Sequence, residues 1–433
     1  MSNDYTRRDF IRAVGAGAAA AATQAILSGC ASEPAAPAKP VGRVIVIGAG
    51  YGGATCAKYL RMWSERRIEV FLIERNAQFV SCPLSNLVLG GSRTIESLTI
   101  GYEKLREYGV QVIRDEVTEV LVERKRVRLK RIEDLPYDRL VVAPGIDFMY
   151  DLVPGLNNPE AQKVVIHAWK AGPETVELRK QLESMRDGGV YILAMPKAPY
   201  RCPPGPYERA CQVAHYFKQV KPKSKVILLD GNEDIVSKKG LFMAAWNDLY
   251  KGIIEYRPNQ EAKDVDVKAM TVKTEFDSFK GDVLNVVPPH GAGLIARQAK
   301  LVTTNNRWCA VNWQTCESAA VPGIYVLGDA TLSAAAMPKS ASMGNNHAKI
   351  AASAIVATMT GGPLNPAPTI NNTCYSYVSD REAIHVDSVH RLMPDKKTLE
   401  PVPGSGGVSS QRSELEKQYA DAWAWNIWSD SLG

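Results

Sequence analysis

The hydrophobic positions of this chain fall into short runs separated by glycine- and proline-bearing turns, and the order repeats. "RVIVIG" (43–48) is apolar and β-branched, and predicts a buried strand. "AGYGGATCAKYL" (49–60) turns on glycines and continues as a helix, and "IEVFLIE" (68–74) is a second strand. Together they read as a βαβ unit. The rhythm returns at "GGVYILAMP" (188–196), with a helix in "GPYERACQVAHYFKQ" and a strand in "KVILLD" (225–230). Two more apolar runs, "YDRLVVAPGI" (137–146) and "GIYVLGDA" (323–330), predict strands that end in turns. The pattern is that of an α/β chain with two Rossmann-like dinucleotide-binding domains and a C-terminal interface domain. The expected division is 42–155 with 285–362 for the first domain, 156–284 for the second, and 363–433 for the third. "PVPGSGGVSS" (401–410) is expected as a loop within the third.

The first unit carries nucleotide chemistry. Gly48, Gly50 and Gly53 are spaced G-x-G-x-x-G. Gly48 permits a tight turn, Gly50 lets the backbone approach a pyrophosphate, and Gly53 lets the helix pack on the strand. The helix N-terminus then offers free N–H groups to phosphate. Glu74 ends the second strand, where an acid suits ribose hydroxyls. The small-Pro-Gly turn after 137–142 and the Gly328-Asp329 pair are features that two-dinucleotide-domain flavoproteins share. They make FAD the expected dinucleotide, with Asp329 at its ribityl-pyrophosphate region.

The second unit lacks this equipment. Its first turn reads "AMPKAPYRCPPGPYE", with proline where N–H groups would have to meet a phosphate. NAD(P) is not expected there. The chain has no C-x-x-C-H, so no covalent c-type haem of its own is expected. The six histidines are scattered, and no metal site is expected. A net charge of +6, spread over 433 residues, gives no basic block for nucleic acid. No apolar run after residue 30 approaches the length of a transmembrane helix.

The first thirty residues read as an address. "TRRDFIR" pairs Arg7 and Arg8 ahead of a short Ala/Gly-rich segment, the pattern of twin-arginine export. "LSGC" places Cys30 where a lipoprotein box would carry its lipid, followed by the Pro/Ala tether "ASEPAAPAKP". Residues 1–41 are therefore expected to be signal and linker, the mature protein periplasmic, and any membrane attachment to run through Cys30. Disulfides are permitted in that compartment.

Cys82 in "SCPLSNLVLGG", Cys202 in "YRCPPGPYERA" and Cys374 in "NNTCYSYV" complete the pattern, with "IHAWKAG" (166–172), "AMPKS" (336–340) and "YADAWAWNIWSDSLG" (419–433). These segments resemble the flavoprotein subunit of flavocytochrome c sulfide dehydrogenase over nearly the whole chain after about residue 42. The resemblance implies that Cys82 carries FAD through a thioether to the 8α-methyl group. It implies a redox-active disulfide of Cys202 and Cys374 beside the flavin, an acid near it at Glu208, and an active-site aromatic at Trp423. The implied partner is a c-type cytochrome subunit. Hydrosulfide, a soft nucleophile, would open the disulfide by thiol–disulfide exchange, and electrons would pass through FAD to the cytochrome. Glu208 would handle the proton. Sulfide:quinone oxidoreductase is the alternative enzyme, and a flavin electron carrier without catalysis the alternative of another class. Cys56 and Cys211 are expected as packed thiols, and the pairing of Cys309 and Cys316 stays open.

Overall fold

The computed structural model describes residues 40–433, which form one compact unit. The segment expected to be an export signal, and Cys30, lie outside the described residues. Within them, the first apolar run becomes the strand Gly42–Ile47, at the middle of a parallel arrangement. Ile68–Glu74 lies on one side, with Val44 opposite Val70, and Arg139–Val142 on the other, with Val46 opposite Val141. Gln111–Arg114 and Ile324–Val326 extend the two flanks in parallel. A short antiparallel pair, Val311–Asn312 and Glu317–Ser318, finishes one edge of this seven-stranded sheet. Val44, Val46, Val70, Val141 and Val326 are fully buried, as strands covered on both faces must be. The sheet grows outward in both directions from Gly42–Ile47. The carboxyl end of that strand therefore opens at a topological switch point, where α/β sheets bind ligands.

The second unit forms a four-stranded parallel sheet in the order Ile254–Arg257, Lys225–Asp230, Val190–Met195, Val283–Val286. That sheet keeps Val286, two residues beyond the expected boundary. The chain then returns through His290–Ala292, which pairs antiparallel with Ile146–Phe148. These two crossing segments join the domains as a ribbon.

The C-terminal region is an antiparallel meander of Thr369–Tyr377, Ala383–Met393 and Thr398–Pro401. Gly407–Val408 adds to Ala383–Met393, so the proline- and glycine-rich 401–410 segment is a loop framed by strand ends. A final helix, Glu414–Leu432, starts on Ser413, whose Oγ accepts the N–H of Glu416 at 3.1 Å. Its far end is locked to the glycine-loop helix Tyr51–Trp63. Lys58 Nζ donates to the carbonyls of Ser429 (2.9 Å) and Gly433 (2.5 Å), a cation at a helix C-terminus. Asp430 gathers Tyr59 Oη (2.5 Å), Asn345 Nδ2 (2.7 Å) and Lys349 Nζ (2.7 Å). The last helix, which carries Trp423, is thus built into the first domain.

Candidate active site

A cleft of about 550 Å³ opens at the switch point. Gly48, Gly50, Glu74, Cys82, Cys202, Glu208, Gly328, Asp329, Cys374 and Trp423 all line it. Gly53 does not reach the cleft; a Cβ there would stand 1.8 Å from the Gly48 carbonyl oxygen, so its role is helix-to-strand packing. Gly48 has φ +90° and abuts Ala143, which leaves no room for another residue. Gly50 has open space around it. The helix Tyr51–Trp63 has no side-chain cap and no acid in its first turn, which leaves its N-terminus free for phosphate.

Glu74 accepts from the Ala49 N–H (2.9 Å) and from Asn76 N and Nδ2 (2.8 Å each), which fixes the carboxylate at the cleft wall with lone pairs to spare. Asp329 sits in the turn Gly328–Ala330, and its Oδ1 is buried with no hydrogen-bond partner. Burial raises its carboxyl above the ordinary range, against the charges of Arg201 and Lys339. A buried acceptor left alone costs about 1–3 kcal/mol. A hydroxyl-bearing ligand in the cleft would supply the missing donor. The orphaned oxygen, the open Gly50 backbone and the uncapped helix fit FAD.

Cys82 follows the strand Phe79–Val80. Its Sγ accepts from the Ala171 N–H at 3.4 Å and from Arg201 Nη2 at 3.3 Å. The same Arg201 nitrogen donates to the Trp169 carbonyl.

Cys202 lies in the proline-rich turn between the strand Val190–Met195 and the helix Gly205–Val220. It holds a left-handed conformation, φ +62°, uncommon outside glycine. Its N–H donates to the Lys339 carbonyl (2.9 Å), and its own carbonyl accepts from Gly205 (2.9 Å). Cys374 arrives from the strand Thr369–Tyr377, where it pairs with Val386. Both cysteines are free thiols, as are all cysteines among the described residues, Cys309 and Cys316 included. Burial pushes the Cys202 thiol well up, and the charges of Cys374 and Glu208 push it further. Burial also raises Cys374, with Lys238 acting against it.

Glu208 lies six residues past Cys202, in the first turn of the helix Gly205–Val220, and is 8% exposed. Its carboxylate accepts from the Tyr377 N–H (2.8 Å), three residues past Cys374, and from Asn86 Nδ2 (2.7 Å), four past Cys82. One acid therefore ties together the three segments that carry the cysteines. Burial raises its pKa. Trp423 lies 6.1 Å, ring to ring, from Tyr375, the neighbour of Cys374.

Four polar side chains around the cysteine-bearing segments escaped the sequence reading. Lys238 is buried and donates to the Cys374 carbonyl (3.0 Å) and to Ser376 Oγ (2.8 Å). Nothing in its surroundings, "IVSKKG", signals that. Arg201 and Lys339 stand inside quoted motifs beside more conspicuous neighbours. Asn86 also accepts from Arg209 Nε (2.9 Å), whose buried guanidinium stacks 4.6 Å over Trp169.

In the second domain, Asp230 ends the strand at the place where a nucleotide-binding unit keeps its ribose acid. Here it is fully buried and accepts from Tyr207 Oη (2.8 Å), Tyr256 Oη (3.1 Å) and Asn232 Nδ2 (2.7 Å). Among the described residues, no cluster could hold a metal ion, and no helix is long and apolar enough to cross a membrane.

Three protein families match the chain. Residues 175–288 match the central part of the sulfide dehydrogenase [flavocytochrome c] flavoprotein chain. Residues 366–432 match the flavin-binding part of flavocytochrome c sulphide dehydrogenase, and residues 42–182 match pyridine nucleotide-disulphide oxidoreductase. The sulfide dehydrogenase [flavocytochrome c] flavoprotein chain of Chlorobaculum thiosulfatiphilum is 52% identical over 46 residues, 94% of that sequence and 11% of this one. The mitochondrial sulfide:quinone oxidoreductase of Mus musculus is 23% identical over 307 residues; the match covers 66% of this chain and 65% of that relative. In fold, the chain is similar to the sulfide:quinone oxidoreductase of Aquifex aeolicus, with a TM-score of 0.71 at 16% identity, over 90% of this chain and 92% of that one. It is also similar to the ferredoxin reductase for the CYP199A2 system of Rhodopseudomonas palustris, with a TM-score of 0.63 at 15% identity, over 86% and 90%. With its central and flavin-binding regions both matched, the chain belongs to the flavoprotein family of flavocytochrome c sulfide dehydrogenases.

Proposed function

We propose that this protein is an FAD-dependent sulfide dehydrogenase that passes electrons to a c-type cytochrome. The observation that carries the reading is the meeting of Cys202, Cys374 and Glu208 in the cleft that Gly48, Gly50 and Asp329 shape for a dinucleotide. Gly50 and the helix behind it would hold the pyrophosphate, Glu74 the ribose, and Asp329 the ribityl chain. Cys82 would hold the flavin covalently. Bound there, FAD supplies a two-electron acceptor that can release its electrons singly.

The chain's own residues would do the sulfur chemistry. In the oxidised state Cys202 and Cys374 are joined. Hydrosulfide attacks one sulfur and the S–S bond breaks, which leaves a persulfide on one cysteine and a thiolate on the other. Lys238, fixed on the Cys374 strand, offsets the charge of the leaving thiolate in this buried place. Glu208, whose pKa burial raises, gives or takes the proton. A second hydrosulfide releases the sulfur as polysulfide. That leaves Cys202 and Cys374 as a dithiol, which would re-form its disulfide by giving two electrons to bound FAD; two one-electron transfers to the cytochrome would then return the flavin to its oxidised form.

NAD(P) has no place in this reading. Prolines replace the phosphate-binding turn of the second domain, and Asp230 is committed to two tyrosines. The export signal and the periplasm belong to the reading as proposals, carried by Arg7 and Arg8.

The test is acceptor choice. Purified holoprotein with hydrosulfide should reduce a c-type cytochrome at least tenfold faster than a soluble quinone. The reverse preference would make it a sulfide:quinone oxidoreductase. Reduction of neither, with no bleaching of the flavin, would make it an electron carrier.

A further inference from the structure

The contacts around Cys82 go beyond what a packed thiol needs. Two donors converge on one sulfur, the Ala171 N–H at 3.4 Å and the Arg201 guanidinium at 3.3 Å, while the thiol itself reaches the Trp169 carbonyl only at 3.9 Å. Sulfur is a weak acceptor when neutral and a good one when negatively charged. Arg201 is anchored independently: its N–H donates to His290 Nδ1 at 3.0 Å and its Nη2 to the Trp169 carbonyl. Trp169 Nε1 in turn donates to the Arg201 carbonyl at 3.0 Å. The guanidinium is therefore held at the sulfur. It lines the same cleft as the partnerless Asp329 Oδ1, an acid whose charge it feels.

We infer that Arg201 and the Ala171 amide form the site at which the protein attaches its own flavin, both donors being directed at the Cys82 sulfur that makes the new bond. The inference rests on the reading of Cys82 as the flavin tether. The step balances as follows. The Cys82 sulfur forms a bond to the 8α carbon as one methyl C–H bond breaks. The thiol and methyl hydrogens leave their atoms as two protons, and the electron pair from the C–H bond stays on the isoalloxazine, which is thereby reduced. A one-electron acceptor of the cytochrome class, used twice, or dioxygen, reduced to peroxide, then removes the pair. The thioether is left on oxidised flavin. No other enzyme is required, so attachment needs only FAD and an oxidant.

A purely structural Arg201 predicts something different: its loss would weaken the fold or flavin binding, but any flavin that bound would still become attached. Full-length protein is therefore produced as wild type, Arg201→Gln, Arg201→Lys and Cys82→Ser. Total flavin, flavin released by acid, and intact mass are measured for each. Arg201→Gln should keep flavin bound in the native state, with the covalent fraction down at least tenfold and most flavin released by acid. Arg201→Gln with full covalent occupancy overturns the inference. If Arg201→Gln does not fold, Arg201→Lys decides, because it keeps a cation. Covalent flavin then appears after FAD addition at least threefold more slowly than in wild type, or, at an unchanged rate, refutes the role. Acid-releasable flavin in the wild type itself would remove the tether and this inference together. Full attachment in wild type and Arg201→Gln alike would remove only the inference.

Discussion

The backbone N–H of Cys202 donates to the carbonyl of Lys339 at 2.9 Å, while the Lys339 ammonium donates to the Asp329 carbonyl at 3.0 Å and to that of Thr331. One residue thus ties the cysteine turn to the turn that carries Asp329. The ammonium also lies 3.7 Å over the Trp308 ring. Burial lowers its pKa to about 8. The backbone link would survive Lys339→Met, but the link to the Asp329 turn would not. That variant should bind FAD roughly tenfold more weakly, the equivalent of about 1.4 kcal/mol. Fluorescence titration of a Cys82→Ser background, in which flavin can exchange, checks this.

Gly205 is squeezed between Trp169 and Cys202. A Cβ there would stand 2.8 Å from the Trp169 ring and 3.0 Å from Cys202 Sγ. Gly205→Ala should therefore push Cys202 out of place. Overpacking of this kind costs about 1–3 kcal/mol. The misplaced sulfur should slow sulfide-dependent flavin reduction by about tenfold or more. Thermal denaturation and stopped-flow absorbance give the two numbers, and unchanged values in both would refute the geometry.

Glu208 has both oxygens committed to donors, Tyr377 N–H and Asn86 Nδ2. In Glu208→Gln one oxygen becomes an NH₂ group facing a donor. The loss should be roughly 1–3 kcal/mol of stability. The pH profile of sulfide oxidation should also lose its Glu208-dependent limb. Denaturant titration and a pH series on the same variant separate the structural and chemical parts.

His347 gives the chain an acid-sensitive element beside the Gly328–Ala330 turn. Its Nδ1 accepts from the Gly328 N–H at 3.3 Å, and burial lowers its pKa from 6.5 to about 3. Between these values the unfolded chain binds a proton that the native state refuses. Stability from this group is therefore complete above pH 6.5 and falls as the pH falls toward 3. The slope is about 1.4 kcal/mol for each pH unit inside the window. His347→Gln should flatten the acid limb of the stability curve by that amount, as read from denaturant midpoints against pH.

The two Rossmann-like units were legible because buried parallel strands leave continuous apolar runs, as in "RVIVIG" and "VYILAM". The glycine turn was legible because backbone geometry at Gly48 and Gly53 excludes every other residue. The division at 284 fell inside a strand, because the pairing of Val283–Val286 with Tyr191–Ala194 is a long-range choice that local pattern does not record. Lys238 was invisible for a similar reason. It lies 136 residues from Cys374, and only the folded chain brings its ammonium to the cysteine strand. Arg201 was overlooked because its neighbour Cys202 carried the more obvious chemistry. Its contact with Cys82 spans 119 residues.

Anaerobic addition of hydrosulfide to the oxidised holoprotein, with flavin absorbance followed in time, tests the central claim most directly. In the wild type the flavin band should bleach within the turnover time. In Cys202→Ser and in Cys374→Ser the flavin should stay bound and bleach at least a hundredfold more slowly. Bleaching at the wild-type rate in either variant would contradict the assignment of the two cysteines as the sulfide-reactive pair.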